Sequence, residues 1–271
     1  MATYKEIRGT QIEAVATDPS NPVEGQVWYN TTSNVLKGQA ATTAGAWSSG
    51  NAMNTARFAL SGVGIQTAAL AFGGNSDPPV QAKTETWNGT NWTEVNDLNT
   101  QRRLGGACGS STSALVFGGQ TSDPGRTADN ESWNGTNWTE VNNLNTTRFG
   151  HRGAGTANTA GLAFGGQTPP GDKTAETELW NGTNWTEVND LNNARANLSG
   201  AGVDSTSALV FGGAPSVPQK VKTESWNGSS WTEVSELNLA RGSNAGAGTS
   251  NTAALCFTGE SPEGGASGPH T

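Results

Sequence analysis

The sequence predicts an all-β fold built from repeated four-stranded sheets, and three observations support this. A tryptophan precedes an arginine by ten residues five times. These pairs recur every 45 to 47 residues, a period typical of repeat architectures. Each repeat consists of short apolar or alternating runs between turn residues, without a sustained helical period. The pairs are Trp47–Arg57, Trp92–Arg102, Trp138–Arg148, Trp185–Arg195 and Trp231–Arg241.

The first two strands of each repeat follow the arginine. Strand a consists of small residues, with the sequences SGVG, GACG, GAGT, GAGV and GAGT. Small residues are expected where several sheets converge on an axis and their backbones crowd together. Strand b is apolar without alternation, which predicts cover on both faces, and it ends at diglycine in the first four repeats. A radial array of sheets, a β-propeller, explains both strands.

The last two strands, c and d, are predicted as a hairpin between two tryptophans five residues apart. An Asn-Gly pair follows the first tryptophan, and it favours a tight turn because both residues tolerate positive φ. The four tryptophan pairs are Trp87/Trp92, Trp133/Trp138, Trp180/Trp185 and Trp226/Trp231.

The number of strands predicts five blades. Strands a and b occur five times, but the full c–d hairpin occurs only four times. Val35–Lys37 and Ala46–Ser48 are expected to supply the missing hairpin, because Trp47 keeps the ten-residue interval to Arg57. N-terminal strands would then pair with the C-terminal blade and remove an exposed sheet edge. The predicted organisation is an extension at 1–33, a propeller at 34–259 and a flexible tail at 260–271.

The repeat resembles the kelch repeat. Shared features are a diglycine after an apolar strand, a later tryptophan and then an arginine. The chain departs from the kelch pattern by placing Trp where kelch repeats usually have Tyr. The resemblance covers about residues 34 to 259 and implies a five-bladed kelch-like β-propeller.

The composition and net charge of the chain argue against several classes of binding partner. A net charge of −8 and a pI of about 4.8 argue against nucleic acid or an anionic membrane, which both attract clustered Lys and Arg. No apolar run is long enough for a membrane-spanning helix, so membrane insertion is not expected. The N-terminus lacks the apolar region of a signal peptide, which predicts synthesis in the cytoplasm. Cys108 and Cys256 are expected to be small buried thiols rather than a disulfide framework.

Catalytic chemistry is not predicted, nor is a cofactor or a metal. His151 is expected on the surface or in a loop, and the second histidine, His270, lies in the tail. Copper enzymes of the kelch class, which resemble galactose oxidase, bind the metal through His and Tyr. Tyr4 and Tyr29 are the only tyrosines of this chain, so an oxidoreductase of that kind is an unfavoured alternative.

The five arginines are the candidate partner-binding face. Strand direction places each of them near the axis, on the side of the b–c loops, where guanidinium groups can bind carboxylates or phosphates. The alternative is an ion pair within each blade, because a glutamate stands two residues before the first tryptophan of each hairpin. The arginines are Arg57, Arg102, Arg148, Arg195 and Arg241; the glutamates are Glu85, Glu131, Glu178 and Glu224. Arg241 lacks such a glutamate.

The tryptophans also have two interpretations. They can stack against sugars, or they can pack between blades, as their regular placement favours. Asn-x-Thr/Ser sequences at the hairpins are explained by turn chemistry without glycosylation. The variable b–c loops are the expected place for specific contacts.

The N-terminal segment DPSNPVEGQVWYNTTSNVLKG resembles the opening of virion structural proteins of tailed bacteriophages, especially tail-fibre or tail-adaptor types. The resemblance implies a non-enzymatic virion component, present in multiple copies and released by host lysis. Val27, Trp28 and Tyr29 would dock to other virion proteins, and the propeller would form an exposed knob on tail or capsid. A host-surface glycan is a candidate ligand. The alternative is a soluble lectin with one sugar site in each of five blades, as in tachylectin-like proteins.

Overall fold

The computed structural model describes residues 13–19, 26–38, 49–76, 79–122, 124–213 and 220–259. The chain divides into two compact units, Met1–Gly50 and Asn51–Thr271. Both are built from β-strands, and helix is nearly absent from the described residues. The prediction of an all-β fold is therefore confirmed.

The first unit contains a three-stranded sheet. Its strands are β1 (Glu13–Val15), β2 (Val27–Asn30) and β3 (Val35–Gly38). β1 runs parallel to β2, and β2 forms an antiparallel hairpin with β3. The Asn30 side chain accepts hydrogen bonds from the backbone of Thr32 and Ser33, which fixes the turn between β2 and β3.

The second unit contains four antiparallel four-stranded sheets and one further two-stranded hairpin in the repeat series. Within each four-stranded sheet the strands are adjacent in chain order, as the predicted order a to d requires. Sheet 1 is β4 (Ser61–Ile65), β5 (Ala68–Phe72), β6 (Thr84–Trp87) and β7 (Trp92–Val95). Sheet 2 is β8 (Gly106–Ser110), β9 (Ser113–Phe117), β10 (Asn130–Trp133) and β11 (Trp138–Val141).

Sheets 3 and 4 repeat this arrangement. Sheet 3 is β12 (Arg152–Ala157), β13 (Ala160–Phe164), β16 (Thr177–Trp180) and β17 (Trp185–Val188), with a small hairpin, β14 (Gln167–Thr168) and β15 (Asp172–Lys173), in its b–c loop. Sheet 4 is β18 (Ser199–Asp204), β19 (Ser207–Phe211), β20 (Thr223–Trp226) and β21 (Trp231–Val234). The fifth hairpin is β22 (Ala245–Ser250) and β23 (Ala253–Phe257).

The five strands of small residues lie next to one another around a common axis. β8 packs between β4 and β12, and β18 packs between β12 and β22. All five line two cavities of about 220 and 210 Å³ along this axis. Glycine and alanine occupy these positions because larger side chains would collide with the neighbouring sheet; a Cβ on Gly153 would lie 2.4 Å from the Phe117 ring. The arrangement is propeller-like.

The hydrophobic core lies between neighbouring sheets. The phenylalanine that ends strand b of one sheet packs edge-on against the tryptophan that begins strand d of the next sheet. These pairs are Phe72–Trp138, Phe117–Trp185 and Phe164–Trp231, with ring centroids 4.9, 5.0 and 5.1 Å apart. Such aromatic pairs contribute about 0.5–1.5 kcal/mol each beyond the area that they bury.

A series of backbone hydrogen bonds joins successive repeats near the axis. Two residues after each arginine the backbone turns into the left-handed region, at Ala59, Leu104, Gly150, Asn197 and Ser243. Each N–H from Leu104 onward donates to the carbonyl of the previous member, over 2.8–2.9 Å. A fifth bond, from Ala59 N–H to Ser243, is not among the hydrogen bonds of the described residues. Five blades and ring closure are thus not confirmed.

The hairpins of the structure differ from the predicted ones in the length of the loop and in which of its residues have positive φ. The loop between paired tryptophans has four residues, and only its glycine has positive φ, as at Gly89 (φ 92°). The asparagine instead accepts two backbone hydrogen bonds, from Thr90 and Asn91 to Asn88 Oδ1. The Asn-Gly pair therefore works as an Asx turn followed by glycine, not as two consecutive positive-φ residues.

The N-terminal closure is not seen in the described strands. Val35–Lys37, predicted as strand c of the last blade, pairs with β2 in the first unit. β23 pairs with β22 and belongs to a two-stranded sheet. Trp47 and the rest of Ala46–Ser48 lie outside the described residues.

Candidate functional site

Four of the five predicted arginines lie in buried ion pairs. Nη2 donates to glutamate Oε1 over 2.9 Å in Arg57–Glu85 and 2.7 Å in Arg102–Glu131. Arg148–Glu178 and Arg195–Glu224 are both 2.6 Å apart. No side chain of the four pairs is more than 2% exposed. These four arginines therefore form the ion pairs with the repeated glutamates that were the alternative to a partner-binding face.

Each glutamate also accepts hydrogen bonds from the chain segment that precedes the first strand of its own sheet. The Oε2 atom of Glu131 accepts hydrogen bonds from the backbone and side-chain nitrogens of Asn99, three residues before Arg102. The Asn99 side chain also donates to the Trp138 carbonyl at the start of the outermost strand. Glu178 and Glu224 hold Asn145 and Asn192 in the same way. An Asn-x-x-Arg segment thus bridges strands c and d, a role not evident from the spacing alone.

Arg241 is the exception among the five arginines. Its Nη1 donates to the Thr258 carbonyl over 2.6 Å, as Arg102 Nη1 does to the Gly118 carbonyl over 3.2 Å. No carboxylate of the described residues lies within ion-pair distance of Arg241. Of the predicted partner-binding face, Arg241 is the member that keeps an uncompensated charge in the described part of the chain.

Six tryptophans of the repeats are buried. Trp133, Trp138, Trp180, Trp185, Trp226 and Trp231 are at most 6% exposed, whereas Trp87 and Trp92 of sheet 1 are half-buried. The indole N–H of Trp138 donates to Thr84 Oγ1, and that of Trp231 donates to Thr177 Oγ1, both on the preceding sheet. The six buried indoles therefore pack between and within sheets, and their faces are not open to a sugar.

His151 lies in the loop directly before β12, but its side chain is not on the surface: it is completely buried between sheets 2 and 3. Its Nε2 lies 3.1 Å from both the Gly106 nitrogen and the Phe117 carbonyl oxygen. It occupies space that Gly106 leaves open, since a Cβ there would lie 2.6 Å from the imidazole. Burial, together with the charges of Arg148 and Arg152, lowers the pKa of His151 well below its usual value. The imidazole is therefore neutral and structural.

The two cysteines are free. Cys108 is buried, as expected, and burial raises the pKa of its thiol to about 12, so it carries no thiolate at neutral pH. Cys256 is half-buried, and the Asn244 side chain donates to its sulfur over 3.0 Å.

The three candidate docking residues have different environments. Val27 is 43% exposed, whereas Trp28 is buried and donates its indole N–H to Asp18. Asn30 and Lys37 also donate to Asp18, and these bonds lower the pKa of its carboxyl to about 2, with Lys37 the largest cause. Trp28 therefore holds the first unit together, and Val27 is available for contact. The Tyr29 hydroxyl donates to Asn34.

Two features escaped sequence reasoning. The residue directly after the arginine lies beside the b–c loop, where Phe58 is 54% exposed and Phe149 is covered by the Arg126 guanidinium at 4.8 Å. Arg152 lines the axial cavity. The residue type at both of these positions differs between repeats, so a search for residues that recur at a regular interval does not find them.

No helix in the described part of the chain is long and apolar enough to cross a membrane. In the same residues, no cluster of three or more His, Cys, Asp or Glu side chains is arranged to hold a metal ion.

No protein-family model matches the chain, and no curated protein matches it in sequence.

Proposed function

We propose that the protein is a non-enzymatic structural component of a tailed-bacteriophage virion. The observation that carries the proposal is the division into two units: the phage-like N-terminal segment forms a compact sheet separate from the repeats. A short separate unit suits attachment, and a rigid repeat array with variable loops suits display. Residues 1–33 would contact neighbouring virion proteins, and the second unit would be exposed on tail or capsid.

Val27 is the contact residue that supports this proposal best, because its side chain is apolar and 43% exposed on β2. Val27→Glu should lower incorporation into particles at least several-fold. Ile65→Glu, at a 69% exposed position in the second unit, is the matched control and should leave incorporation unchanged. Mass spectrometry of gradient-purified particles measures both. Absence of the unaltered protein from these particles would overturn the proposal.

A five-site lectin is the competing function. It requires an equivalent sugar site in every blade, and the six buried tryptophans leave it without aromatic platforms in most repeats. Calorimetry with host glycans separates the two proposals: about five equivalent sites per chain support the lectin, and a knob without them remains consistent with a virion component.

We further propose that the array is a ring of five blades closed by N-terminal residues after β3. Phe211 of sheet 4 is the equivalent of Phe72, Phe117 and Phe164, yet no indole of the described residues packs against it. Thr223 Oγ1 corresponds to the hydroxyls of Thr84 and Thr177, which accept indole N–H groups, and it is buried without a partner. Trp47 fits both positions by its ten-residue interval to Arg57.

Trp47→Ala tests this closure, with Trp231→Ala as the matched variant in sheet 4. If Trp47 packs on Phe211, both substitutions should reduce the free energy of unfolding by about 3–5 kcal/mol. Urea denaturation of the full chain measures this. A Trp47→Ala protein as stable as the parent would contradict closure through this segment.

A further inference from the structure

The axial cavity holds one charged side chain. The cavity of about 220 Å³ is lined by the first residues of all five inner strands, and Arg152 is the only charged residue among the described lining residues. The other positions supply Gly, Ala, Ser, Leu and Asn. This end of the axis lies beside the b–c loops, because strands a begin where strands b end.

Arg152 is not part of the repeat pattern. The corresponding positions carry Ser61, Gly106, Ser199 and Ala245. The packing of an inner strand therefore does not require an arginine, and two repeats accept a serine. Packing of the inner strands therefore does not explain why one of the five equivalent positions carries an arginine.

The charge of Arg152 is uncompensated. Its Nη1 donates to the carbonyl of the neighbouring His151 over 3.1 Å, and no carboxylate of the described residues is paired with it. The arginines near the axis in sheets 1 to 4 each have a glutamate at 2.6–2.9 Å. Burial lowers the pKa of Arg152, but a guanidinium keeps its proton. Arg152 is partly buried, and a cation that is partly shielded from water and has no counter-charge is stabilised when an anion accompanies it.

We propose that the axial cavity binds a small oxyanion, a single carboxylate or phosphate group, through the Arg152 guanidinium. The planar guanidinium can donate two parallel hydrogen bonds to such a group. The cavity has room for several water molecules, and therefore for a group of this size. The neutral His151 neither competes for the anion nor contributes a charge. The inference goes beyond the virion proposal and does not depend on it.

Two sources of the oxyanion are distinguished by the probe. Inorganic phosphate represents a free ion, glucuronate represents the carboxylate of a sugar acid, and glucose is the uncharged control. Calorimetry on the full chain at constant ionic strength should show one site per chain for at least one of the two anions, and none for glucose. Binding of phosphate alone, of glucuronate alone or of both supports the site and identifies its source.

Arg152→Ser is the decisive variant, because serine is the residue that two other repeats carry there. It should weaken anion binding about tenfold or more while its melting temperature without anion stays close to that of the parent. Arg126→Gln removes an arginine outside the cavity that stacks on Phe149, and it should bind as the parent does. Equal anion affinity in Arg152→Ser and the parent, or no anion binding by the parent at millimolar concentration, would overturn the proposal.

Discussion

At the scale of residues, the regular charges of this chain are internal connectors. Each buried glutamate neutralises an arginine and accepts backbone hydrogen bonds, so removal of one partner leaves the other charge without compensation. Sequence spacing predicted both a binding face and an ion pair, and could not choose between them, because burial depends on how sheets pack. Of the five regularly spaced arginines, only Arg241 lacks such a carboxylate in the described residues, and Arg152, which is not part of the repeat, lacks one as well.

Loss of one ion-pair partner should be strongly destabilising. Glu178→Gln would leave the Arg148 guanidinium buried without a counter-charge, and we expect the free energy of unfolding to fall by about 3–5 kcal/mol. Glu187→Gln, at an exposed position of β17, is the control and should change it by less than about 0.5 kcal/mol. Urea denaturation measures both. Similar midpoints for the two variants would contradict the role of the pair.

Two tryptophans allow one indole hydrogen bond to be measured. Trp138 and Trp185 make the same edge-on contact with a phenylalanine, but the Trp185 N–H has no partner in the described residues. Trp138→Phe also leaves Thr84 Oγ1 without its donor, so it should cost about 1–2 kcal/mol more than Trp185→Phe. Thermal or urea unfolding of the two variants gives the difference. Equal losses would show that the hydrogen bond contributes nothing.

The buried His151 should make the fold sensitive to acid. Its folded pKa lies well below the unfolded value of about 6.5, so the unfolded chain binds the proton more readily. The free energy of unfolding should therefore keep its full value above pH 6.5. As the pH decreases below 6.5, it should decrease by up to about 1.4 kcal/mol per pH unit. His151→Leu, with the residue of the equivalent positions Leu60 and Leu198, should remove this slope between pH 6.5 and 5. Denaturation midpoints of the two proteins, measured across this pH range, test the prediction. An unchanged slope in the variant would contradict the role of buried His151 in the acid sensitivity.

At the scale of elements, alternation, small residues and turn residues were sufficient to predict the four sheets. The tryptophans that flank each hairpin do pair, as Trp133 does with Trp138. The diglycine was predicted only as the end of a strand, and its actual role is tertiary. Gly118 and Gly119 both have positive φ, and the Gly119 N–H donates to the carbonyl of Arg148 in the next repeat. Such contacts between repeats are not visible in local sequence.

Substitution of the first glycine should disrupt the junction between sheets. A Cβ on Gly118 would lie 2.6 Å from the Arg148 carbonyl oxygen at a φ of 58°. Gly118→Ala should therefore cost about 3 kcal/mol or more in the free energy of unfolding. Gly242→Ala is the control, because that backbone is not left-handed and the added Cβ would lie 3.5 Å from the Lys220 side-chain carbon Cε. Urea denaturation should show little change there; a mild Gly118→Ala would refute the tight junction.

At the scale of the whole molecule, the repeat period predicted an array, and the structure has five inner strands around one axis. The assignment of Val35–Lys37 to the last blade was the weakest step, because one apolar strand can pair in more than one sheet; here it pairs with β2. The last junction also differs in sequence, since Thr258 replaces the first glycine of the other repeats. The proposed closure is therefore argued from the sequence position of Trp47 and from the environments of Phe211 and Thr223, rather than from repetition alone.

A cryo-EM map of purified particles tests the central claim most directly. The proposal of a displayed ring predicts density for five blades around one axis, projecting from the tail or capsid and attached through the N-terminal unit. An open array, a different number of blades, or attachment through the repeats would contradict it.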